Sequence, residues 1–348
     1  MWYFRPEIER MSGYVPGEQP QAGKFIKLNT NENPYAPSPA VVRAITAALE
    51  RGLGRYPDPM AEAFRHRAAE LLGVEPSWIL CGNGSDDILT IVTRAIVGQG
   101  ELVRLPYPSY VLYRCLAEIQ GARSEEVHFE ADWSLPNAFA AEAPGLKLVC
   151  LPYPNSPSGT CVSPAVVREL SERLPCPLLV DEAYVDFAEE SCLALVRETD
   201  KILVSRSLSK SHALAGLRFG YVVAQPHVIE GLVKVKDSYN CDALSIAGAT
   251  AAIDDRAWLR ETCGRIIATR DRLTDALRKL GFTVVDSQAN FVWVTDEKRP
   301  VRPIYERLKA DRILVRYMDY HGWGDGLRIS VGTDEQIDAA LAVLQAIV

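Results

Sequence analysis

No apolar run in the chain approaches the roughly 20 residues needed to span a bilayer, which excludes membrane insertion. The eight cysteines are scattered, with no two at the two-residue spacing of metal sites and redox motifs, so they are expected to be mostly buried free thiols. None of the five histidines forms a ligand-like pair, and metal catalysis is not expected. Positive charge is short as well. With 38 Lys and Arg against 45 Asp and Glu, the net charge is -7, and the basic face that a nucleic-acid backbone demands is missing. A small anion in a local basic pocket stays open. The opening Met1-Trp2-Tyr3-Phe4-Arg5-Pro6 lacks the basic start, apolar middle and small-residue cleavage site of a secretory signal, and the chain is read as cytoplasmic.

What is present fits a globular enzyme, with 48% hydrophobic and 24% charged residues. At 348 residues the chain exceeds one ordinary core, so two domains are expected. From Pro39 to Asp255 apolar strands alternate with amphipathic helices, the pattern of an α/β fold with a mostly parallel sheet covered on both faces. Seven strands are predicted, at Trp78–Cys81, Glu101–Leu105, Ser124–Val127, Lys147–Leu151, Leu178–Asp181, Lys201–Ser205 and Phe219–Ala224. Helices are predicted at Pro39–Arg51, Met60–Leu72, Ser85–Val97, Tyr110–Gln120 and Ser163–Leu174. Residues 256–348 read as a smaller α+β domain: a long helix from Arg256 to Leu280, four short strands and two further helices. Residues 1–38, rich in proline, read as an arm that packs on the smaller domain and borders the active site.

The chemistry gathers where these strands end. Lys210 lies among hydroxyls in Ser207-Leu208-Ser209-Lys210, just past the apolar run 201–205, where a partly desolvated amine can lose its proton and attack an aldehyde. Asp181 ends the run Leu178-Leu179-Val180 and should be a buried acid at the carboxyl end of a parallel strand, where ligands of open α/β sheets gather. A lysine for an imine and a carboxylate for a pyridinium nitrogen form the pair that a pyridoxal 5'-phosphate (PLP) enzyme needs. The turn Gly82-Asn83-Gly84-Ser85-Asp86 joins a strand to a helix and can present backbone N–H groups to a phosphate. Ser207, Ser209 and Arg218 supply hydroxyls and a guanidinium fork for the same anion. Asn155 and Tyr184 are candidate donors to the cofactor's phenolic oxygen, and Tyr110 a face to stack on its ring. Singly, each has an ordinary explanation: Asn155 as an Asx turn, Tyr184 and Tyr110 as core aromatics, Asp86 as a first-turn acid and Tyr56 as a surface turn aromatic.

Assembled, these residues resemble the fold-type I PLP enzymes and, within them, the class I/II aminotransferases of the histidinol-phosphate aminotransferase family. The likeness runs through Leu28-Asn29-Thr30-Asn31-Glu32-Asn33-Pro34, Arg55-Tyr56-Pro57-Asp58, Asp181-Glu182-Ala183-Tyr184, Ser207 to Arg218 and Leu327-Arg328-Ile329-Ser330-Val331-Gly332. The resemblance implies Lys210 as the imine lysine, Asp181 as the pyridinium partner, and Asn155 and Tyr184 as phenolic-oxygen donors. It assigns the phosphate to Gly84, Ser85, Ser207, Ser209 and Arg218, beside which the turn itself offers the Asp86 backbone, and the ring stack to Tyr110. Tyr56 would reach the neighbouring subunit's cofactor, implying a homodimer with shared sites. Tyr14, Asn33, Arg316 and Arg328 would contact small-molecule substrates, an amino donor and 2-oxoglutarate or glutamate.

The segment Asp237-Ser238-Tyr239-Asn240-Cys241-Asp242 departs from the family's proline-containing version, and serines stand at 158 and 207 where threonine is common. Alternatives with similar sites are an aromatic amino acid aminotransferase and a threonine-phosphate decarboxylase. A PLP-binding transcription regulator or a structural protein would be a non-enzymatic use of the fold.

Overall fold

A computed structural model of the chain describes residues 3–13, 17–19 and 23–347. Among the described residues twelve strands form two sheets. In chain order they are β1 (Ile26–Leu28), β2 (Ile79–Gly82), β3 (Leu102–Tyr107), β4 (Arg123–His128), β5 (Leu146–Pro152) and β6 (Leu178–Asp181), followed by β7 (Ile202–Ser207), β8 (Gly220–Val223), β9 (Thr283–Val284), β10 (Phe291–Thr295), β11 (Ile313–Tyr320) and β12 (Gly324–Ser330). The larger sheet has the order β2-β8-β7-β6-β5-β3-β4 and is parallel except for β8, which runs against both its neighbours. This is the mostly parallel seven-stranded sheet expected, and each strand lies within two residues of its predicted end.

Strands β6 and β7 are apolar on both faces because helices cover both sides of the sheet. Leu178, Val180, Ile202 and Val204 enter one core, and Leu179 and Leu203, pointing the other way, enter a second. Helix Pro39–Glu50 starts on Pro39 with Ser38 as its cap, the Ala40 N–H donating to Ser38 Oγ at 3.1 Å. The smaller sheet, β1-β11-β12-β10-β9, packs against the helices Arg256–Lys279, Arg302–Ala310 and Asp334–Ile347 around a core of its own.

Four elements differ from the sequence expectation, the first a short helix, Pro6–Arg10, in the arm. The arm contributes β1, parallel to β11 with Leu28 opposite Val315; three residues carry too little periodicity to be read as a strand. Helices Pro226–Val233 and Ala243–Asp254 also form. The second reads Ala-Leu-Ser-Ile-Ala-Gly-Ala-Thr-Ala-Ala-Ile-Asp, small and apolar all round with no polar stripe, so its helical period is faint. Its small residues let it lie close to helix Pro39–Glu50, where a Cβ on Gly248 would stand 3.1 Å from Ile45.

The chain passes between the two sheets at residues 38 and 255, and these positions meet. Ser38 Oγ donates to Asp255 Oδ2 at 2.5 Å, while Asp255 Oδ1 accepts from the Trp258 N–H and so caps the long helix. Among the described residues no helix is long and apolar enough to cross a membrane. All eight cysteines are free, and seven are buried.

The tightest backbone approach supports the site. Gly220 on β8 lies opposite both Gly82 and Ser207, and a Cβ there would stand 2.5 Å from the Ser85 nitrogen and 2.7 Å from the Gly84 carbonyl carbon. Backbone cannot swing aside. Gly220→Ala is expected to cost about 1–3 kcal/mol in denaturant unfolding. Gly231→Ala, in a helix with open space at its Cβ, is expected to be neutral or stabilising.

Candidate functional site

The carboxyl ends of β3, β5, β6 and β7 open into a cleft of about 250 Å³ whose opposite wall is the arm and the β11–β12 hairpin. Register puts Pro152 beside Asp181 and Asp181 beside Ser205, so the acid at the end of β6 is flanked on both sides by sheet backbone. Asp181 is 5% exposed. Tyr113 donates to its Oδ2 at 2.7 Å and Ser205 to its Oδ1 at 3.0 Å. Burial pushes the carboxyl up to about 6, against the pull of these two donors, which favour the anion.

Lys210 follows β7 on a turn across the cleft, and its Nζ donates to the Thr30 carbonyl at 3.1 Å. Burial brings the amine down to about 8, with the Arg328 guanidinium acting in the same direction. A lysine in this state is a usable nucleophile and base near neutral pH. Tyr184 lies beneath it, with Nζ 5.8 Å from the ring centroid, and packs edge-on against Phe291. Burial raises the Tyr184 phenol, so it stays a hydroxyl.

The phosphate candidates converge at the far end of the cleft. Gly84 caps helix Ser85–Ile96 with φ of +83°, a conformation favouring glycine, and a Cβ there would meet Arg218 Nη2 at 2.6 Å. Ser85, Asp86, Ser207, Ser209 and Arg218 all line the cleft. Arg218 Nη2 donates to Asp86 Oδ2 at 3.2 Å and Nη1 to Ser209 Oγ at 3.4 Å, while the Ser209 N–H donates to Ser207 Oγ. The Tyr110 hydroxyl donates to Asp86 Oδ1 at 3.1 Å, and its ring stands edge-on to Tyr113.

Other sequence candidates sit differently. Asn155 is buried, its Nδ2 donating to Ser158 Oγ at 2.9 Å and more weakly to the Pro108 carbonyl, with Oδ1 lacking a partner. Turning the amide over would let the Ser158 hydroxyl donate to Oδ1 and put Nδ2 in the unpartnered place. Asn33 Nδ2 donates to the Ser211 carbonyl and its Oδ1 accepts from the Tyr35 N–H, so it ties the arm to the lysine loop and does not line the cleft. Tyr56 stands outside its own chain's cleft, 81% exposed and stacked on Tyr239 at 4.5 Å. Arg316 and Arg328 face each other in register on β11 and β12, and both line the cleft. Arg328 donates to Ser156 Oγ at 2.8 Å and to the Asn29 carbonyl at 3.2 Å. Tyr14 lies outside the described residues.

Sequence reasoning missed Tyr113, Ser205 and Asn31. Tyr113 stands three residues after Tyr110, and Ser205 ends the predicted apolar run 201–205, so both carried a positional signal. Asn31 carried none beyond its motif. In the 237–242 segment, Asn240 Nδ2 donates to the Cys81 carbonyl of β2 and to Asp87 Oδ2 in the first turn of helix Ser85–Ile96, pinning the segment to both sides of the Gly82–Gly84 turn. Among the described residues no group of three or more His, Cys, Asp or Glu side chains is disposed to hold a metal ion.

The lining fits a ligand that is part anion and part hydrogen-bonding ring. Asn29 Oδ1, Thr30 Oγ1, Ser109 Oγ and Arg328 Nε are buried without a partner and all belong to residues of the cleft wall. An unmade bond of this kind costs about 1–3 kcal/mol, and a bound polar molecule would offset that cost.

Comparison with known proteins agrees with this chemistry. The family model for aminotransferase class I and II matches residues 23–344. A histidinol-phosphate aminotransferase of Rhodopirellula baltica is 58% identical over 343 residues, covering 98% of this chain and 95% of that protein. Another, from Trichormus variabilis, is 46% identical, covering 96% and 95%. The crystal structure of histidinol-phosphate aminotransferase from Sinorhizobium meliloti, in complex with pyridoxal-5'-phosphate, superposes with a TM-score of 0.89 at 26% identity, covering 100% of this chain and 99% of that one. With this match over nearly its whole length, the chain belongs to the class I and II aminotransferase family.

Proposed function

We propose that the protein transfers the amino group of histidinol phosphate to 2-oxoglutarate, giving imidazole-acetol phosphate and glutamate. PLP is the cofactor of this aminotransferase, and when bound it supplies an electron sink for the bond broken at the amino-bearing carbon. Gly84, Ser85, the Asp86 backbone, Ser207, Ser209 and Arg218 would hold its phosphate, Tyr110 would cover its ring, and Asn155 and Tyr184 would donate to its phenolic oxygen. Asp181, a carboxylate held by two donors, would keep a proton on the ring nitrogen. Lys210 Nζ would carry the group when the site is idle and remove the proton from the substrate's amino-bearing carbon when it is working.

The observation that carries the substrate reading is the arginine pair. Arg316 opposite Arg328 faces the cleft that holds Lys210, so a substrate anion clamped there has its reacting carbon within the same cavity. Histidinol phosphate has a phosphate ester where glutamate has a carboxylate, and two guanidinium groups can serve both. The identity to relatives named for histidinol phosphate supports the same choice.

A homodimer is part of this reading. Tyr56, the neighbouring Leu53 and Leu49, and Val42 of helix Pro39–Glu50 are all more than half exposed, an apolar patch suited to a second copy. A cytoplasmic location is proposed with it. So is a division into an arm (1–38), a PLP-binding domain (39–255) and a small domain (256–348), supported by the Ser38–Asp255 contact at both boundaries.

Purified protein offered histidinol phosphate, phenylalanine or threonine phosphate with 2-oxoglutarate should yield glutamate fastest from the first. Preference for phenylalanine, or carbon dioxide from threonine phosphate, would overturn the substrate assignment. Asp181→Ala should lower kcat by about 100-fold or more while leaving the protein folded. Tyr113→Phe removes a donor that favours the Asp181 anion, so the carboxyl should rise further and kcat fall by about tenfold. Steady-state rates beside thermal unfolding of each variant check both.

A further inference from the structure

We infer that Asn31 of the arm is a positioning residue that aims the Tyr184 hydroxyl proton into the cleft and, through the same turn, presents the Thr30 carbonyl to Lys210. The inference rests on the reading of Tyr184 as a donor to the cofactor's phenolic oxygen.

Asn31 is 1% exposed and adopts φ of +55°, a left-handed conformation that few side chains other than Asn and Asp tolerate. Its polar groups are all engaged. The N–H donates to Ser330 Oγ at 2.8 Å, and Asn31 Oδ1 accepts from that same hydroxyl at 2.8 Å. The carbonyl accepts from Asn290 Nδ2 at 3.0 Å. Nδ2 donates to the Tyr184 hydroxyl oxygen at 3.0 Å.

The direction of each bond follows from the inventory. The Asn31 N–H can only donate, so Ser330 Oγ accepts there and has its single proton left for Oδ1. Turning the amide over would leave that buried hydroxyl proton without the acceptor it has in Oδ1, so the amide keeps Oδ1 on Ser330 and Nδ2 on Tyr184. A phenol oxygen receiving a donor cannot direct its own proton back along that line. The Tyr184 O–H is therefore turned away from the arm, and Tyr184 lines the cleft. One residue earlier, the Thr30 carbonyl accepts from Lys210 Nζ. Ser330 ends β12 and Asn290 precedes β10, so the smaller sheet grips a turn that touches both the lysine and the phenol.

The test is a pH titration of the visible absorbance of the PLP-loaded protein, comparing wild type, Asn31→Asp, Tyr184→Phe and the double variant. Asn31→Asp keeps the backbone conformation and the acceptor for Ser330, but it replaces the donor to Tyr184 with an acceptor. The phenol proton then turns to the new carboxylate. The phenolic oxygen of the cofactor loses a donor that favours its anion, and the cofactor–lysine linkage keeps its proton to higher pH. The midpoint is expected to rise by about one pH unit, the size of one charge-assisted hydrogen bond. In the Tyr184→Phe background the same replacement is expected to move it by less than about half as much, because little remains for Asn31 to act through.

An equal shift in both backgrounds, which the field of an added charge alone would give, or no shift in either, overturns the inference. If Asn31→Asp does not fold, Asn31→Gly, which keeps the positive φ and removes the donor to the Tyr184 oxygen without adding an acceptor, enters the same cycle, with a smaller rise expected in the wild-type background than with Asn31→Asp and less than half of it beside Tyr184→Phe. A wild-type protein without a visible band would defeat the PLP site itself, a different failure from an unmoved midpoint.

Discussion

Two ionisable groups share one largely buried cleft, and the hydrogen bonds around them decide what each can do. Asp181 is dragged toward neutrality by burial and held back by Tyr113 and Ser205; Lys210 is brought down by burial and steadied by the Thr30 carbonyl. Neither environment would exist without the sheet. The pairing of β6 with β7 puts Asp181 next to Ser205, and the turn after β7 carries Lys210 over the same opening. The buried ion pair of Arg206 with Glu182 sits immediately behind, its Nη2 2.8 Å from Oε2, with Glu182 also accepting from Ser191 and the Cys192 N–H. Removing Arg206 would leave the buried Glu182 carboxylate without its charge partner.

The arm closes the site from the other side. It joins the smaller sheet through β1, turns at Asn31, crosses the cleft and is tied to the lysine loop by Asn33. The residues proposed to hold the cofactor on the larger sheet and those proposed to hold the substrate anion on β11 and β12 are thereby linked through a few residues. A displacement of the smaller sheet would be felt at Lys210 and Tyr184 without any change in the strands that bear them.

Much of this was legible in the sequence. Continuous apolar runs announced β5, β6 and β7, and the residues that end them, Asp181 above all, were placed at the cleft because ligands collect at the carboxyl ends of parallel strands. Glycines at 82 and 84 before an amphipathic helix marked the turn proposed to hold the phosphate. Less was legible where the cause is tertiary. β1 is too short for a period, and helix Ala243–Asp254 is too uniformly apolar to show one. The roles of Tyr113 and Asn31 depend on contacts 68 and 153 residues away in sequence. Asn33, assigned to substrate, has its amide spent on backbone groups, which only the path of the arm reveals.

The most direct test of the account is to load the protein with PLP across a pH series, reduce it with borohydride at intervals, and map the labelled peptide. The account predicts label on Lys210, with a rate of capture that climbs through about pH 8, where burial has brought the amine, and not near its ordinary value of 10.5. Label on another lysine, or active protein in which residue 210 stays unmodified, would contradict it.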